Sequence, residues 1–363
     1  MIRSFCERLG SRAVHVLNAL CVGRPSTVGR LQALSRLIVG RPFRGAELRR
    51  PSARASLRYG GLPRLAIAYG TSPGIPVSDR ASACPVSAPD IINDLFRLDG
   101  HVALVTGGLG RLGSQYARAL TEAGASVALF DVATRTSPVV QRLIDSGAPL
   151  SVHLVDATRR EAIDREVARV AARFGAPSVL VNNAGLGSSP ADAALETGPF
   201  ERYPESAWDA MMASHLKSAL VVSQSFVACF REGGRDHGSI VNVSSIYGVV
   251  TPDQSVYDYR RRDGAEYYKP VGYSVAKAGM LNFTRWLAEY CAPLGIRVNT
   301  LVPGGVREPE HAPEFVAEYE KRTPLGRMAS DEDYNGAVVF LASRASAYMT
   351  GAMLVVDGGW TAR

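Results

Sequence analysis

The chain has 363 residues, 46% of them hydrophobic and 21% charged, which suffices for one large α/β core and is ordinary for a globular protein. Its formal charge of +7 is unevenly placed: residues 1–90 hold 14 Arg, no Lys and four acids, so the remainder is weakly acidic and offers no basic nucleic-acid surface. No stretch approaches the ~20 apolar residues of a membrane span, and five scattered cysteines without a C-x-x-C pair argue against a disulfide framework or a metal site and fit a reducing compartment.

The first 90 residues are rich in Arg, Ser, Gly and Pro and lack sustained strand alternation. Three readings stay open for them: an organelle transit segment, upstream sequence translated from an over-extended start, or a disordered arm that touches anionic partners. Residues 1–90 are therefore expected to be a leader, disordered or outside the mature fold. A cytoplasmic location is expected, or an organelle if the leader is a transit segment.

The pattern changes abruptly near Leu98. A short apolar strand is expected over His101–Thr106, then a Gly-rich turn and a helix to about Ala123. Strands follow at Ser126–Asp131, Leu150–Val155 and Ser178–Asn182, with helices at Pro138–Ser146 and Arg159–Phe174 between them. One long helix is expected from Glu205 to Arg231, then strand Ser239–Ser244, helix Val271–Cys291 and strand Arg297–Leu301. Helices within 308–342 precede a closing strand, Met353–Val356. Strands alternating with helices imply parallel βαβ units with right-handed crossovers, hence a Rossmann-type doubly wound sheet forming one domain over 91–363.

The turn after the first strand reads Thr106-Gly107-Gly108-Leu109-Gly110-Arg111-Leu112-Gly113. Placed between a strand and a helix, it has the form of a dinucleotide fingerprint, in which glycines admit a pyrophosphate to the free N–H groups of a helix N-terminus. Asp131 ends the second strand at the distance expected for an acid that binds an adenosine ribose. Such a carboxylate repels a 2′-phosphate and points to NAD rather than NADP, although Arg111 and Arg135 stand near enough in sequence to blunt the choice. Asp156, after the third strand, is a second candidate for the adenine pocket, with Ala157 beside it.

Tyr273 and Lys277 lie four apart on a predicted helix and project from one face. A phenol with a reference pKa of ~10 is a poor base at neutral pH, and an ammonium one turn away stabilises its phenolate.

At these residues the chain resembles the short-chain dehydrogenase/reductases. The resemblance runs from about Leu98 to Trp360 and takes in Asn182-Asn183-Ala184-Gly185, Ser244-Ser245, Tyr273 to Lys277, Arg297-Val298-Asn299, Pro303-Gly304 and Val356-Asp357-Gly358-Gly359. It implies hydride transfer between a nicotinamide cofactor and an alcohol or ketone. Tyr273 would be the acid/base, Lys277 would tune it, and Ser245 would hold the substrate oxygen. The cofactor would be lined by the glycines at 107, 108, 110 and 113, Leu112, Asp131, Asp156, Ala157, Asn183, Ala184, Gly185, Pro303, Gly304 and Val306, together with Tyr273 and Lys277. A small-molecule substrate and a homodimer or homotetramer are expected.

Departures from the family pattern stand out. The Asn usual in the helix after the fourth strand is His215, a residue able to donate and accept in a proton relay. Arg307 replaces a common Thr, and Ser245 and Tyr273 stand 28 apart because of an insertion, Tyr247–Pro270. The insertion carries Tyr257, Tyr259, Arg260, Arg261, Arg262, Asp263, Glu266, Tyr267, Tyr268 and Lys269, a mixture that suits a hydroxylated or anionic substrate, or that simply forms a solvated loop. Its flanks look most like family members of surface-polysaccharide and sialic-acid-type sugar metabolism. A 3-ketoacyl-thioester or steroid-type carbonyl reductase, or a non-catalytic nucleotide sensor, are the rival readings.

Overall fold

The computed structural model describes residues 91–187, 196–261 and 266–362; the expectations on residues 1–90, and on Arg262 and Asp263 of the insertion, lie outside them. Short runs of Val, Leu, Ile and Ala form the strands β1 (Val102–Thr106), β2 (Ser126–Asp131), β3 (Leu150–Leu154), β4 (Val179–Asn182), β5 (Gly238–Val243), β6 (Ile296–Pro303) and β7 (Met353–Val356). In β1, β4 and β5 every residue is buried, as a central parallel sheet covered on both faces requires. The sheet order is β3-β2-β1-β4-β5-β6-β7, with all pairs parallel. The order reverses between β1 and β4, so the strand C-termini open a crevice there, the place where doubly wound sheets bind ligands.

Helices cover both faces. A short α1 (Ile91–Phe96) precedes the sheet, and α2 (Arg111–Glu122) and α3 (Pro138–Asp145) pack on one side. Ser137 caps α3 by accepting from Val140 N at 3.2 Å, with Pro138 in the first turn. On the other side lie α4 (Arg160–Phe174), which buries Ile163, Val167 and Val170 along one stripe, α6 (Ser218–Glu232) and α7 (Val271–Cys291). Near the C-terminus, α8 (Pro313–Arg322) faces the crevice and α9 (Asn335–Ala342) joins α2 over the first core.

Two local features depart from the sequence expectation. The single helix expected over Glu205–Arg231 is instead α5 (Glu205–Met212), one π turn over Ala213–Lys217, and α6. A π turn widens the helix by one residue, which apolar periodicity does not register. The insertion is also more than a solvated loop: Val256 and Tyr257 are buried with Phe315, Tyr319 and Met328 in a third apolar cluster.

The Gly-rich turn is fixed by close approach. A Cβ on Gly113 would lie 2.0 Å from the Gly107 carbonyl oxygen, so only glycine lets α2 start against the end of β1. Gly113→Ala is expected to lower stability by about 1–3 kcal/mol through this clash and to weaken cofactor binding together with it. Thermal melts paired with cofactor titration check this; a variant that melts and binds like the wild type would contradict the packing described.

Candidate active site

Strand ends and the loops after them converge on the crevice. Thr106, the last residue of β1, accepts hydrogen bonds through Oγ1 from Asn183 N and Ala184 N, both at 3.0 Å. Asn183 Nδ2 returns donors to the carbonyls of Thr106 (3.1 Å) and Gly107 (3.2 Å). The two loops are thus locked side by side across the point where the sheet order reverses. Below them a buried polar ladder crosses the sheet: Asn182 Nδ2 donates to Asn242 Oδ1 at 2.8 Å, and Asn242 Nδ2 to Thr284 Oγ1 at 2.8 Å. The ladder ties β4 and β5 to α7 at one level, with Asn182 Oδ1 as the one buried ladder atom that finds no partner among the described residues.

A cavity of about 580 Å³ is lined by Gly107, Gly110, Leu112, Asp131, Asp156, Ala157, Asn183, Ala184 and Gly185, so most of the expected cofactor residues share one surface. Gly108 and Gly113 lie behind it, against Leu129 and the Gly107 carbonyl. Asp131 accepts from Leu109 N and Ala133 N, each at 2.9 Å, which holds its carboxylate at the cavity wall. Asp156 is exposed and its Oδ1 accepts from Thr158 N and Oγ1. Arg111 lines the same cavity, but its guanidinium is engaged by Asp331, by Glu308 at 3.3 Å and by the Arg307 carbonyl. Arg135 is exposed.

A second cavity, of about 410 Å³, shares Arg111, Leu112, Asn183, Gly185 and Leu186 with the first and continues it. Ser245, Tyr273, Lys277, His215, Pro303, Gly304 and Val306 all line it. Lys277 is buried, and its Nζ donates to the Val243 carbonyl at 3.0 Å while standing 5.7 Å from the centre of the Tyr273 ring. Burial pushes its pKa down to about 8. Burial also pushes the Tyr273 phenol up, and the Ser245 hydroxyl opposes that shift.

His215 sits in the π turn, its ring edge-on to Tyr273 at 5.6 Å. Nε2 lies 2.9 Å from the Leu186 carbonyl, which can only accept, so Nε2 carries the hydrogen and Nδ1 is the acceptor. Nδ1 is buried and has no partner among the described residues. Burial, and then the Lys277 charge, press the His215 pKa down to about 3. The ring is therefore neutral at working pH. Its Nδ1, packed against Gly185, is left as a buried hydrogen-bond acceptor.

Several contacts that the sequence did not reveal position the site. Ser244 Oγ donates to the Lys277 carbonyl at 2.7 Å and pins α7 to the end of β5. Tyr319 OH accepts from Gly305 N at 2.6 Å, and Tyr334 OH donates to the Gly304 carbonyl at 3.0 Å, so two buried phenols hold the loop after β6. A Cβ on Gly185 would meet the His215 ring at 2.0 Å, which links the glycine to the histidine that replaces asparagine. No motif marks these contacts, because they join residues far apart in the chain.

A family model described as enoyl-(acyl carrier protein) reductase matches residues 110–361. The chain belongs to the short-chain dehydrogenase/reductase family. It is 35% identical over 265 residues to cis-4-hydroxycyclohexanecarboxylate dehydrogenase of Sinomonas cyclohexanicum, covering 72% of this chain and 97% of that relative. Among solved structures it resembles a gluconate 5-dehydrogenase from Burkholderia cenocepacia in complex with NADP and tartrate, with 28% identity, TM-score 0.64, and coverage of 75% and 99%. It also resembles a short-chain dehydrogenase from Leptospira borgpetersenii with bound NAD+, with 30% identity, TM-score 0.64, and coverage of 78% and 100%. As a member of this family, the chain is an oxidoreductase that uses a nicotinamide cofactor, and the glycine cradle and joined cavities fit that group. Among the described residues no helix is long and apolar enough to cross a membrane, and no cluster of His, Cys, Asp or Glu could hold a metal ion.

The lowered Lys277 pKa has a consequence for stability. The unfolded chain binds the extra proton between about pH 8 and the ordinary lysine value of 10.5, so the cost of this residue is full below pH 8 and falls as pH climbs through that window. Relative to wild type, Lys277→Met is expected to gain stability at pH 7 compared with pH 10 while losing at least about 10²-fold in turnover. Melting curves at both pH values check the first part; an equal wild-type–variant difference at both would show that the amine is not held as a buried cation.

Proposed function

We propose that the chain is an NAD-dependent dehydrogenase of hydroxylated, sugar-like or cyclic alcohols, working through Ser245, Tyr273 and Lys277. The observation that carries this reading is the convergence of those three side chains on the cavity that continues the cofactor crevice. The nicotinamide, when bound, supplies the hydride acceptor or donor. Ser245 holds the substrate oxygen, and Tyr273 takes or gives its proton. Lys277, fixed on the Val243 carbonyl, stabilises the phenolate by its charge. His215 accepts a hydrogen bond at Nδ1 in place of the family's asparagine, as a neutral acceptor behind the tyrosine.

Asp131 supports NAD over NADP, because its carboxylate stands at the wall where an adenosine ribose would lie and Arg111 is committed elsewhere. The similar structures include three with NADP and one with NAD+, so both cofactors occur among them and the preference proposed for this chain rests on its local chemistry. The polar lining, with Ser245, Tyr247, Tyr257 and Lys269, supports an oxygenated substrate, as do relatives named for gluconate and hydroxycyclohexanecarboxylate. The stacked, exposed Trp286 and Tyr290, with ring centres 5.5 Å apart, support self-association through α7. The free Cys229 and Cys291 suit the reducing cytoplasm.

Asp131→Ala should cut the efficiency with NAD and raise the NADP:NAD efficiency ratio by about tenfold or more, since one charge-assisted contact is lost and one repulsion relieved. Reduced-nicotinamide absorbance over polyols, sugar acids and ketoacyl thioesters, with both cofactors, checks the proposal. A wild-type preference for NADP would remove the role given to Asp131, and turnover confined to ketoacyl thioesters would overturn the substrate class.

A further inference from the structure

Lys269 closes the insertion four residues before Tyr273, as Lys277 stands four residues after it. Its Nζ lies 5.0 Å from the centre of the Tyr273 ring, against 5.7 Å for Lys277, so two ammonium groups stand close to the phenol. The two cations differ in what holds them. Lys277 is spent on the Val243 carbonyl. Lys269 is half-buried where the 410 Å³ cavity meets a neighbouring cavity of about 730 Å³, and it lines both.

Its backbone is fixed. Lys269 N donates to Gln254 Oε1 at 2.9 Å, and Tyr268 N donates to the Thr197 carbonyl at 2.7 Å. Among the described residues no carboxylate makes an ion pair with Nζ; two act on it from farther away, Glu308, which is paired with Arg111 at 3.3 Å and lies 3.7 Å from His311, and the buried Glu196, which lines the neighbouring cavity with it. The other described cations of the insertion are engaged. Arg260 stacks on Tyr267 at 4.3 Å and donates to Tyr259, and Arg261 is paired with Asp258 at 2.5 Å. Burial, joined by the Arg260 charge, lowers the Lys269 pKa, and Glu308 and Glu196 offset only part of that shift.

A part-buried ammonium with no carboxylate in ion-pair contact costs stability that an arriving anion would recover. We propose that Lys269 anchors a carboxylate on the substrate, so that the alcohol oxidised at Tyr273 belongs to a hydroxy acid of the sugar-acid class and not to a neutral polyol. This rests on the reading that Ser245 and Tyr273 hold the reacting oxygen. The anion sits on the Lys269 side of the phenol and the carbinol at its hydroxyl, which fixes which hydroxyl of a polyhydroxylated chain is presented. Lys269 would then be a specificity residue, while Tyr273 and Lys277 do the same work on any alcohol that reaches them.

The test uses the full chain saturated with NAD and measures equilibrium binding of tartrate, of threitol, which replaces both carboxylates with hydroxymethyl groups, and of erythritol 4-phosphate. Tartrate is expected to bind at least tenfold more tightly than threitol. Lys269→Met should erase that difference and Lys269→Arg retain it, with NAD affinity of each variant reporting its fold. Equal binding of tartrate and threitol, or a tartrate preference that survives in Lys269→Met, overturns the proposal. Tighter binding of the phosphate than of tartrate overturns the carboxylate assignment. Failure of the wild type to bind NAD would instead strike the dehydrogenase reading beneath it.

Discussion

The arrangement depends on one buried ammonium. Lys277 is placed against the end of β5 with a single backbone carbonyl for company, and burial brings its pKa to about 8. Such a charge is tolerated only where its surroundings are fixed, and the structure supplies that rigidity from several directions. Ser244 grips the carbonyl of Lys277 itself, and the Asn182–Asn242–Thr284 ladder joins the same helix to two strands. The charge also sets the state of its neighbour, since it helps keep His215 neutral. A chain that needed only stability would place a methionine there.

The cofactor side is governed by close approach more than by charge. Four hydrogen bonds join Thr106 and Gly107 at the end of β1 to Asn183 and Ala184 at the end of β4, and the glycines beside them leave no room for a side chain. The result is a surface of backbone donors with the carboxylates of Asp131 and Asp156 at its far wall. That surface suits a phosphate-linked dinucleotide by its N–H groups and helix terminus.

Much of this was legible in the sequence. β2, α7 and β7 occur at the expected residues because each is a clean apolar run between turn signals, and Tyr273, Lys277 and Ser245 meet because the Rossmann order forces their strand and helix together. The break in the helix around His215 was not legible, since one extra residue per turn leaves the apolar pattern nearly intact. Neither were Tyr319 and Tyr334, whose phenols reach the loop after β6 from helices that read only as amphipathic or apolar. Arg111 looked available to a 2′-phosphate until Asp331 and Glu308, some two hundred residues away, were seen to hold it. Local pattern predicts elements and the residues at their ends; long-range polar contacts need the fold.

The most direct test of the account is Tyr273→Phe, which removes the phenol's proton and leaves its ring in place beside His215 and both lysines. With a substrate found by cofactor absorbance, turnover is measured alongside NAD affinity. The account predicts that turnover falls by about 10²-fold or more, the usual contribution of a positioned acid/base, while cofactor affinity stays within a few-fold. A variant with wild-type turnover would contradict it.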